Sequence, residues 1–429
     1  MQRQLMEKLK TWKDKEKRKP LILKGARQVG KTWLMKEFGK LYFENTAYIS
    51  FYNNKTAAAI FERDYDAGRI LEGIQTLTRE KIVPGKTLII FDEIQDAPRV
   101  IEALKYFCED VPEYHVIAAG SLLGVAVHEG ISYPVGKVDE LNLRPMNFKE
   151  FLFALGEESL AGYTEDYNNV YISDFADKYD DLLKQYLVVG GMPEAVDAFV
   201  KTKDYNLVRE IQLSIVQQYE GDFGKHVDAR QLPRIRMTWN AVPMQLAKEN
   251  RKFFFGQVKK GARMSDFEIA IEWLVNAGLV YKVNLVSFPG HPLKSYIDFS
   301  SFKLYMVDVG LLGALSELSP EVVLQSNTIY REFKGAVAEQ YVLQELIATE
   351  KYTPYYYSSE KSAYEVDFLI QKGTDVIPVE VKAEDNLKAK SLKFYFEKFT
   401  PVYAVRTSTA KTRIQDWIIN IPLWAISSL

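Results

Sequence analysis

The residues with the clearest chemistry lie between Gly25 and Thr32, where the text GARQVGKT matches the pattern G-x-x-x-x-G-K-T. Glycines at such positions let successive backbone N–H groups face an anion at the start of a helix, where the helix dipole also favours negative charge. The spacing predicts a loop that binds the phosphates of ATP. Lys31 is expected to reach the terminal phosphates, and Thr32 is expected to ligate Mg²⁺. The predicted nucleotide contacts are Gly25, Ala26, Arg27, Gln28, Val29, Gly30, Lys31 and Thr32.

Two carboxylates end an apolar run further along the chain, in the text LIIFDE. A strand that is buried on both faces tolerates a charge only where it leaves the sheet, so this strand end is a candidate site. We expect Asp92 to hold Mg²⁺ through water, and Glu93 to orient and polarise the attacking water. Ser121 closes the apolar run HVIAAGS and is placed like a polar sensor between the acidic pair and the γ-phosphate.

A second set of chemical residues lies near the C-terminus, where Asp367, Glu380 and Lys382 form the pattern D-x(12)-E-x-K on two predicted strands. If Gly373 and Thr374 are the centre of a two-residue turn, Asp367 and Glu380 face each other with their Cβ atoms about 5 Å apart. Lys382 then shares their side of the hairpin. Like charges so placed repel each other, and a divalent metal would neutralise them.

This arrangement resembles the PD-(D/E)xK nucleases, in which two carboxylates hold Mg²⁺ and a lysine positions or activates water. The resemblance implies a metal at Asp367 and Glu380, a catalytic role for Lys382, and Glu339 on the preceding helix as an additional acidic ligand. An exposed hairpin with ordinary surface charges would show the same pattern, so this alternative stays open.

The segment from Lys225 to Arg263 has a local excess of positive charge, with ten Lys or Arg residues and only two acidic residues. The whole chain, in contrast, has a formal net charge of −2. Such a segment attracts phosphates. A solvated helix surface, or a surface for packing between subunits, would have the same composition. The predicted DNA contacts are Arg251, Lys252, Lys259, Lys260 and Arg263, with Arg230, Arg234 and Arg236 as further candidates.

The first site requires elements that bring distant strand ends together. From Leu21 to Ser121, short apolar runs alternate with amphipathic segments, which is typical of a parallel sheet covered by helices. The runs LILKG, AYISFY, TLIIFD and HVIAAGS are the predicted strands. From Phe148 to Gln218 the chain is predicted to be helical, with an interruption at VGGMP.

Beyond the basic segment, a helix capped by Ser265 and stopped at Gly278 is followed by a strand, an order that suggests a winged helix-turn-helix. From Tyr330 onward we predict another α/β unit. Its elements are the helix REFKGAVAEQYVLQELIA, strands in YTPYYYS, YEVDFLIQ and VIPVEVKA, a second helix, and a strand in PVYAVRT.

The composition indicates a multidomain globular protein, since 429 residues are many for one core. Hydrophobic residues at 47% and charged residues at 26% favour neither wholesale disorder nor a membrane class. The single cysteine, Cys108, excludes a disulfide framework and a zinc site built on several thiolates. The first twenty residues contain no apolar signal core, and no run of about 18 apolar residues follows, so we expect a cytoplasmic protein without a membrane segment.

The chain resembles a family of prokaryotic ATPases in which an AAA-type P-loop domain precedes a domain of unknown function with a nuclease-like C-terminus. The matching text spans residues 25 to 342 and comprises GARQVGKTWLMKEF, FDEIQDAPRVIEALKY, AAGSLLG, LNLRPMNFKEFL, YLVVGGMPEAV, KLYMVDVGLLGAL and FKGAVAEQYV. The resemblance implies an AAA+ fold, ATP binding, and assembly of several copies, as in a ring. The predicted fold is α/β, with an AAA+ P-loop NTPase domain at residues 1–150, a helical lid or linker at 151–224, a winged-helix domain at 225–320 and a restriction-endonuclease-like α/β domain at 321–429.

One position departs from the family pattern. Relatives commonly have Gly-Arg before the motif L-x-P-x-x-F-x-E-F, where this chain has Gly136 and Lys137. Lysine supplies a charge without the planar fork of an arginine finger. Arg99, Lys137 and Arg144 are the candidates for a cation that approaches the γ-phosphate in a neighbouring subunit.

Three functions fit these patterns. An ATP-driven machine acting on DNA would combine the motor, the winged helix and a metal-dependent nuclease-like domain, and this is the leading hypothesis. A nucleotide-controlled signalling or assembly switch would use the nuclease fold as a scaffold without chemistry. A transcription regulator would bind specific DNA sequences without cutting them.

Overall fold

The computed structural model describes residues 2–121, 132–225, 227–248, 251–325, 331–359, 364–384 and 389–429. These residues form two compact units, one of residues 2–144 with 276–278, and the other of residues 145–275 with 279–429. Within the described ranges, no helix has both the length and the apolar character needed to cross a membrane.

The first unit is built on a five-stranded parallel sheet with the strand order β2-β3-β4-β1-β5. Its strands are β1 Leu21–Lys24, β2 Asn45–Ser50, β3 Thr87–Asp92, β4 His115–Ala119 and β5 Asp139–Asn142. Its helices are α1 Leu5–Lys13, α2 Lys31–Tyr42, α3 Lys55–Glu62, α4 Ala67–Thr78 and α5 Pro98–Glu109. The four predicted strands are confirmed. The prediction omits β5, because its text DELN contains no apolar run and its residues alternate between half-buried and exposed.

The sheet is covered on both faces, as its apolar strands require. Every residue of β3 and β4 is buried. The rings of Phe51, Phe61 and Phe91 lie 5.6–5.8 Å apart in a core cluster that also contains Ile22 and Ile89. Because the strands are parallel, their carboxyl ends share one edge, and that edge is where side chains can converge on a ligand.

The second unit begins with a group of helices, as predicted for this part of the chain. They are α6 Phe148–Ala154, α7 Glu158–Tyr163, α8 Val170–Asp174, α9 Ala176–Val189, α10 Pro193–Thr202 and α11 Tyr205–Asp222. The predicted interruption at VGGMP is the turn between α9 and α10.

Three helices and an antiparallel strand pair follow. They are α12 Leu232–Leu246, α13 Phe255–Val258, α14 Met264–Asn276, β6 Val280–Val286 and β7 Ile297–Met306. Gly278, with a φ of 73°, follows the end of α14 as predicted, while the helix starts at Met264, one residue before the expected cap Ser265. Since β6 also pairs with β8, the strand pair belongs to a larger sheet. The winged helix stays a prediction.

The larger sheet has eight strands in the order β12-β13-β11-β10-β9-β8-β6-β7. The remaining strands are β8 Tyr355–Ser358, β9 Glu365–Lys372, β10 Asp375–Val381, β11 Ala404–Ser408, β12 Arg413–Ile414 and β13 Ile418–Pro422. The remaining helices are α15 Val309–Leu315, α16 Pro320–Leu324, α17 Arg331–Ala348 and α18 Lys390–Phe399. The helix predicted at residues 331–348 and the four strands β8 to β11 are confirmed, whereas β12 and β13 lie outside the prediction.

The hairpin of β9 and β10 has the predicted turn. Lys372 pairs with Asp375 across Gly373 and Thr374, and the register continues to the pair Phe368 and Val379. The next opposed positions along this antiparallel pair are those of Asp367 and Glu380, as the turn geometry predicts.

The glycines between α9 and α10 are required by close packing within the second unit. Met146 N donates to the Gly191 carbonyl at 2.7 Å, and Gly191 N donates to Asp308 Oδ1 at 2.6 Å. A Cβ atom on Gly191 would lie 2.0 Å from the Met146 carbonyl oxygen, and one on Gly190 would lie 2.2 Å from Asp308 Oδ2. Close contacts within the second unit thus account for three of the sequence stretches that carry the family resemblance. These stretches are LRPMNF, VGGMP and VDVG.

Helix α17 contributes a buried acid close to this junction. Glu345 is 1% exposed and accepts a hydrogen bond from the backbone N–H of Phe148 at 2.8 Å. Burial raises the pKa of Glu345 from 4.5 to about 8, so its carboxyl group is mainly protonated at neutral pH.

Glu345→Gln is expected to make the stability of the second unit less dependent on pH. Since the pKa is raised in the folded state, the contribution of Glu345 to stability is fully present below about 4.5 and is lost as the pH rises through about 8. The amide keeps an acceptor oxygen and does not ionise. Urea midpoints measured from pH 5 to 9 should therefore fall less steeply in this variant. The exposed Glu397→Gln on α18 is the control, and an equal slope in both variants would contradict the assignment.

Candidate functional site

The loop between β1 and α2 has the backbone that wraps phosphates. Gly25, Gln28 and Gly30 have φ values of 150°, 65° and 93°, and α2 begins directly after Gly30. A Cβ on Gly25 would lie 2.2 Å from the carbonyl oxygen of Leu143, so this position accepts only glycine. The loop therefore presents its N–H groups at the N-terminus of a twelve-residue helix.

Lys31 lies inside this loop and is 7% exposed. Its Nζ donates to the carbonyl oxygens of Gly25 at 2.8 Å and Ala26 at 2.7 Å. Burial lowers the pKa of Lys31 from 10.5 to about 8, while the charges of Glu93 and Asp92 oppose the shift. Lys31 is thus mainly charged at neutral pH and is held where the phosphates of a nucleotide would lie in such a loop.

The end of β3 meets the start of α2 at Asp92, which is 2% exposed. Asp92 Oδ2 accepts hydrogen bonds from Thr32 Oγ1 at 2.6 Å and from Tyr48 OH at 3.1 Å, and Asp92 Oδ1 accepts from Glu93 N at 3.1 Å. Burial, aided by the charge of Asp92, raises the pKa of Tyr48 to about 12, so Tyr48 remains a donor. These donors stabilise a carboxylate at a depth where an unpaired one would be costly.

Glu93 follows Asp92 in the left-handed region, with a φ of 56°. Its Oε2 accepts hydrogen bonds from Gln95 Nε2 at 2.6 Å and from Ser121 Oγ at 3.3 Å. The left-handed conformation turns the chain at the strand end, and the two donors fix one carboxylate oxygen. The structure therefore brings together Lys31, Thr32, Asp92, Glu93 and Ser121 as the sequence predicts.

The donor set fits the expected metal. Thr32 and Asp92 supply a hydroxyl and a carboxylate oxygen that already touch each other, and Mg²⁺ prefers such hard oxygen ligands, together with water and phosphate. With Lys31 in the adjacent loop, the arrangement has the parts that phosphoryl transfer uses.

Residues 17–152 match the family model described as an AAA domain. The chain contains a P-loop ATPase domain of the AAA type. This confirms the ATP-binding part of the family resemblance found in the sequence.

Two further parts of the chain match families without a known role. Residues 180–322 match a domain of unknown function, DUF8612, and residues 334–426 match another, DUF4143. Neither description refers to a nuclease, so the nuclease-like relationship stays a prediction. The comparison with curated proteins found no match.

The solved structures that match this chain are only distantly similar to it. The Walker-type ATPase PABY2304 of Pyrococcus abyssi is 13% identical, with a TM-score of 0.46 over 72% of this chain and 94% of that chain. The Aeropyrum pernix ORC1 protein in complex with DNA is 15% identical, with a TM-score of 0.27 over 73% of this chain and 90% of that chain. AMPPCP-bound DnaA from Aquifex aeolicus is 14% identical, with a TM-score of 0.24 over 63% of this chain and 84% of that chain. Likenesses this weak carry no inference about function.

Two candidate cations for a neighbouring active site, Lys137 and Arg99, have partners within their own unit. Lys137 Nζ pairs with Glu109 at 2.7 Å, and Arg99 Nε donates to the Phe61 carbonyl at 2.9 Å. The carbonyl of Arg144 accepts a hydrogen bond from Arg3 Nη2 at 2.5 Å. A role in a second subunit stays a prediction for all three.

Three residues of the nucleotide site were not predicted from the sequence. Tyr48 and Gln95 contact the acidic pair as described, and Arg3 Nη1 donates to the Val29 carbonyl of the phosphate loop at 2.8 Å. Gln95 follows the acidic pair closely enough to have been a candidate. Tyr48 and Arg3 carry no such signal, since only the fold brings them to the loop and to Asp92.

The basic segment forms a concave surface in the second unit. A cavity of about 300 Å³ is lined by four cations and has Asp266 as an acidic neighbour. Arg230 lies just before α12, Arg234 lies in its first turn, and Lys259 and Lys260 follow α13. We call this cavity the basic pocket. Arg236 and Arg263 are exposed, whereas Lys252 is half-buried.

The three predicted carboxylates of the second unit are buried. Asp367, Glu380 and Glu339 are 9%, 5% and 1% exposed, which excludes the exposed hairpin. Lys382 Nζ pairs with Glu380 Oε1 at 2.6 Å. Arg251, predicted to contact DNA, instead forms an ion pair with Glu339 through Nη1.

The predicted metal set is not assembled here. Among the described residues, no group of three or more His, Cys, Asp or Glu side chains is arranged to hold a metal ion. The structure thus corrects the expectation that Asp367, Glu380 and Glu339 form one open acidic group, because cations of the same unit lie among them.

Lys31→Ala is expected to weaken ATP binding by more than about 100-fold, because it removes charge-assisted contacts with the terminal phosphates. Titration of the protein with a fluorescent ATP analogue measures the loss. Lys40→Ala removes an exposed charge from the same helix and should bind as the wild type does. Equal affinity in the two variants would remove Lys31 from the site.

Proposed function

We propose that this protein hydrolyses ATP with Mg²⁺ at the phosphate loop and uses the nucleotide cycle to act on DNA. The proposal of ATP hydrolysis rests on the contact between Thr32 and Asp92, with Glu93 held beside them by a hydrogen bond from Ser121. These residues come from three separate chain segments, and their convergence at one sheet edge supports a catalytic site.

The roles follow from the contacts. Lys31 binds the terminal phosphates after leaving the carbonyls of Gly25 and Ala26. Thr32 would ligate Mg²⁺ and Asp92 would hold it through water, and the ion would supply charge neutralisation at the phosphates. Glu93 orients the attacking water through the oxygen that is not fixed by Ser121 and Gln95.

The basic pocket supports a role on DNA. Four cations around one concave surface would favour the phosphate backbone over any particular base sequence. Arg236 and Arg263 extend the exposed basic surface of the same segment. Arg251 belongs to this proposal only if it leaves Glu339. Assembly of several copies, as the family resemblance implies, would place several pockets on one DNA.

Cleavage of DNA has no support. The carboxylates that would carry it are paired with cations, as described above, and this favours the second candidate, a nucleotide-controlled switch with a nuclease-like scaffold. The two candidates differ in one measurement. DNA should stimulate ATP hydrolysis in the first, and it should have no effect in the second.

Glu93→Gln is expected to bind ATP normally and to hydrolyse it about 10²-fold more slowly or worse, because the amide keeps the shape of the carboxylate without its charge. Steady-state release of phosphate and equilibrium binding of ATP separate the two effects. The exposed Glu62→Gln serves as the control. Loss of ATP binding in Glu93→Gln would show that Glu93 supports the loop and does not activate water.

Replacing Arg230, Arg234, Lys259 and Lys260 with glutamine is expected to weaken binding to every DNA sequence. The slope of log K against log salt should fall by roughly 0.9 for each DNA phosphate that the variant no longer neutralises. Fluorescence anisotropy with duplex and single-stranded DNA between about 50 and 200 mM salt measures both quantities. The control replaces the exposed Lys8, Lys40, Lys55 and Lys86, which removes the same charge from the ATPase unit. An equal weakening in both variants would mean that net charge alone drives binding.

A further inference from the structure

The basic pocket has the size of a cavity for one small ligand. Its volume of about 300 Å³ is at the lower end of the range for cavities that hold a single ligand. A cube of this volume has an edge of about 7 Å, whereas the major groove of a DNA duplex alone is about 12 Å wide. A duplex can therefore meet the pocket only from outside. An internal nucleotide of a single strand has to leave the pocket on two sides, whereas a nucleotide at a strand end leaves it on one.

The cations of the pocket are available to a ligand. Among the residues that the structure describes, Arg230, Lys259 and Lys260 form no ion pair. Arg234 donates from Nη1 to the neutral side chain of Gln231 at 3.4 Å. Each of the four cations thus keeps a positive charge that no acid in the described part of the chain neutralises by direct contact.

The acid in the lining of the pocket has a different partner. Asp266 Oδ2 accepts a hydrogen bond from the backbone N–H of Arg263 at 2.8 Å, at the start of α14. This contact stabilises the first turn of the helix and does not involve the four cations. With four cations and one acid, the lining has a formal charge of +3. Such a lining favours an anion that carries more than one charge.

The phosphates of a DNA strand differ in charge between its interior and its ends. An internal phosphodiester carries one negative charge. A phosphate at a strand end is a monoester, which carries about −1.5 to −2 charges near pH 7 and has three acceptor oxygens. Several cations can donate charge-assisted hydrogen bonds to such a group at once. The terminal phosphate therefore matches the charge of the pocket more closely than an internal one does.

The pocket also has an apolar wall. Pro233, Met237 and Phe267 contribute to its lining, and Met237 is 43% exposed. A phosphate alone would not cover this apolar surface, whereas the sugar or base of a nucleotide would remove it from water. The lining therefore favours a phosphate together with the nucleotide that carries it.

We propose that the basic pocket binds the terminal phosphate of a DNA strand together with the last nucleotide, which rests on the DNA binding proposed above. The four cations hold the phosphate, and the apolar wall contacts the sugar or the base. The pocket thereby distinguishes a strand end from the interior of a strand and does not read the base sequence.

The test compares four forms of one single-stranded DNA that carry the same internal fluorophore. One has a 5′-phosphate, one has a 3′-phosphate, one has neither, and one is a closed circle. The circle has as many phosphates as a phosphorylated linear strand but no end, so total charge is matched. Fluorescence anisotropy with the full-length, nucleotide-free protein measures the four affinities.

A terminal phosphate should strengthen binding at least about 10-fold relative to both the unphosphorylated strand and the circle, because it adds charged hydrogen bonds. A preference for either phosphorylated end supports the proposal, since a monoester has the same charge at both ends. Equal affinity for all four strands would overturn it, while leaving the proposed DNA binding intact. If the wild type bound none of the strands, the proposed DNA binding itself would be wrong.

Paired variants locate the preference in the pocket. Lys259→Gln with Lys260→Gln should bind the phosphorylated strands no better than the circle, and Arg230→Gln alone should reduce the preference. Arg236→Gln with Arg263→Gln removes the same charge as the lysine pair from residues that do not line the pocket. This control should weaken all four strands alike and keep the preference. The five side chains are exposed, so unchanged circular dichroism spectra and melting temperatures are expected. A preference that survives the lysine pair, or that the control removes, would overturn the proposal.

Discussion

Asp92 ends a strand whose six residues are all buried, and a carboxylate at that depth is stable only if the surrounding chain supplies donors. Thr32 from the first turn of α2, Tyr48 from β2 and the N–H of Glu93 provide them. This requirement links the phosphate loop, two neighbouring strands and the turn after β3. Removing one donor leaves a buried acceptor unpaired, at a typical cost of about 1–3 kcal/mol. The chemistry of the first unit depends on this arrangement.

The two units treat buried carboxylates in different ways. Around Asp92 the partners are neutral donors, and the nearby cation, Lys31, is bound to backbone carbonyls. The carboxylates of the first unit are therefore available to a metal and a nucleotide. Around Glu339, Glu365 and Glu380 of the second unit the partners are themselves charged. Lys303 is wholly buried beside Glu365. A buried pair of this kind is costly to break, because each partner would leave an uncompensated charge.

Some of the sequence stretches that carry the family resemblance have a structural role and no catalytic one. The sequences VGGMP and VDVG meet at Gly191 and Asp308, where backbone contacts leave no space for a side chain. Asp308 accepts hydrogen bonds within the core from the N–H groups of Gly191 and Leu311. Burial raises its pKa to about 6, and these hydrogen bonds oppose the shift. A motif that is distinctive in the sequence can therefore reflect a packing constraint.

The phosphate loop, the acidic pair, four of the five strands of the first sheet and the turn that opposes Asp367 and Glu380 could all be predicted from the amino-acid sequence. Each of these depends on local pattern: glycines at fixed spacing, apolar runs of strand length, and a two-residue turn that sets the register. The partners of those residues depend instead on the three-dimensional packing. Tyr48 and Arg3 reach the site across long sequence separations. Arg251, which was predicted to contact DNA because of its basic neighbours, lies against Glu339, 88 positions later in the chain. The sequence shows where charged residues lie along the chain, but it does not show which residue of opposite charge each one will pair with. The pairing depends on how distant helices and strands pack together.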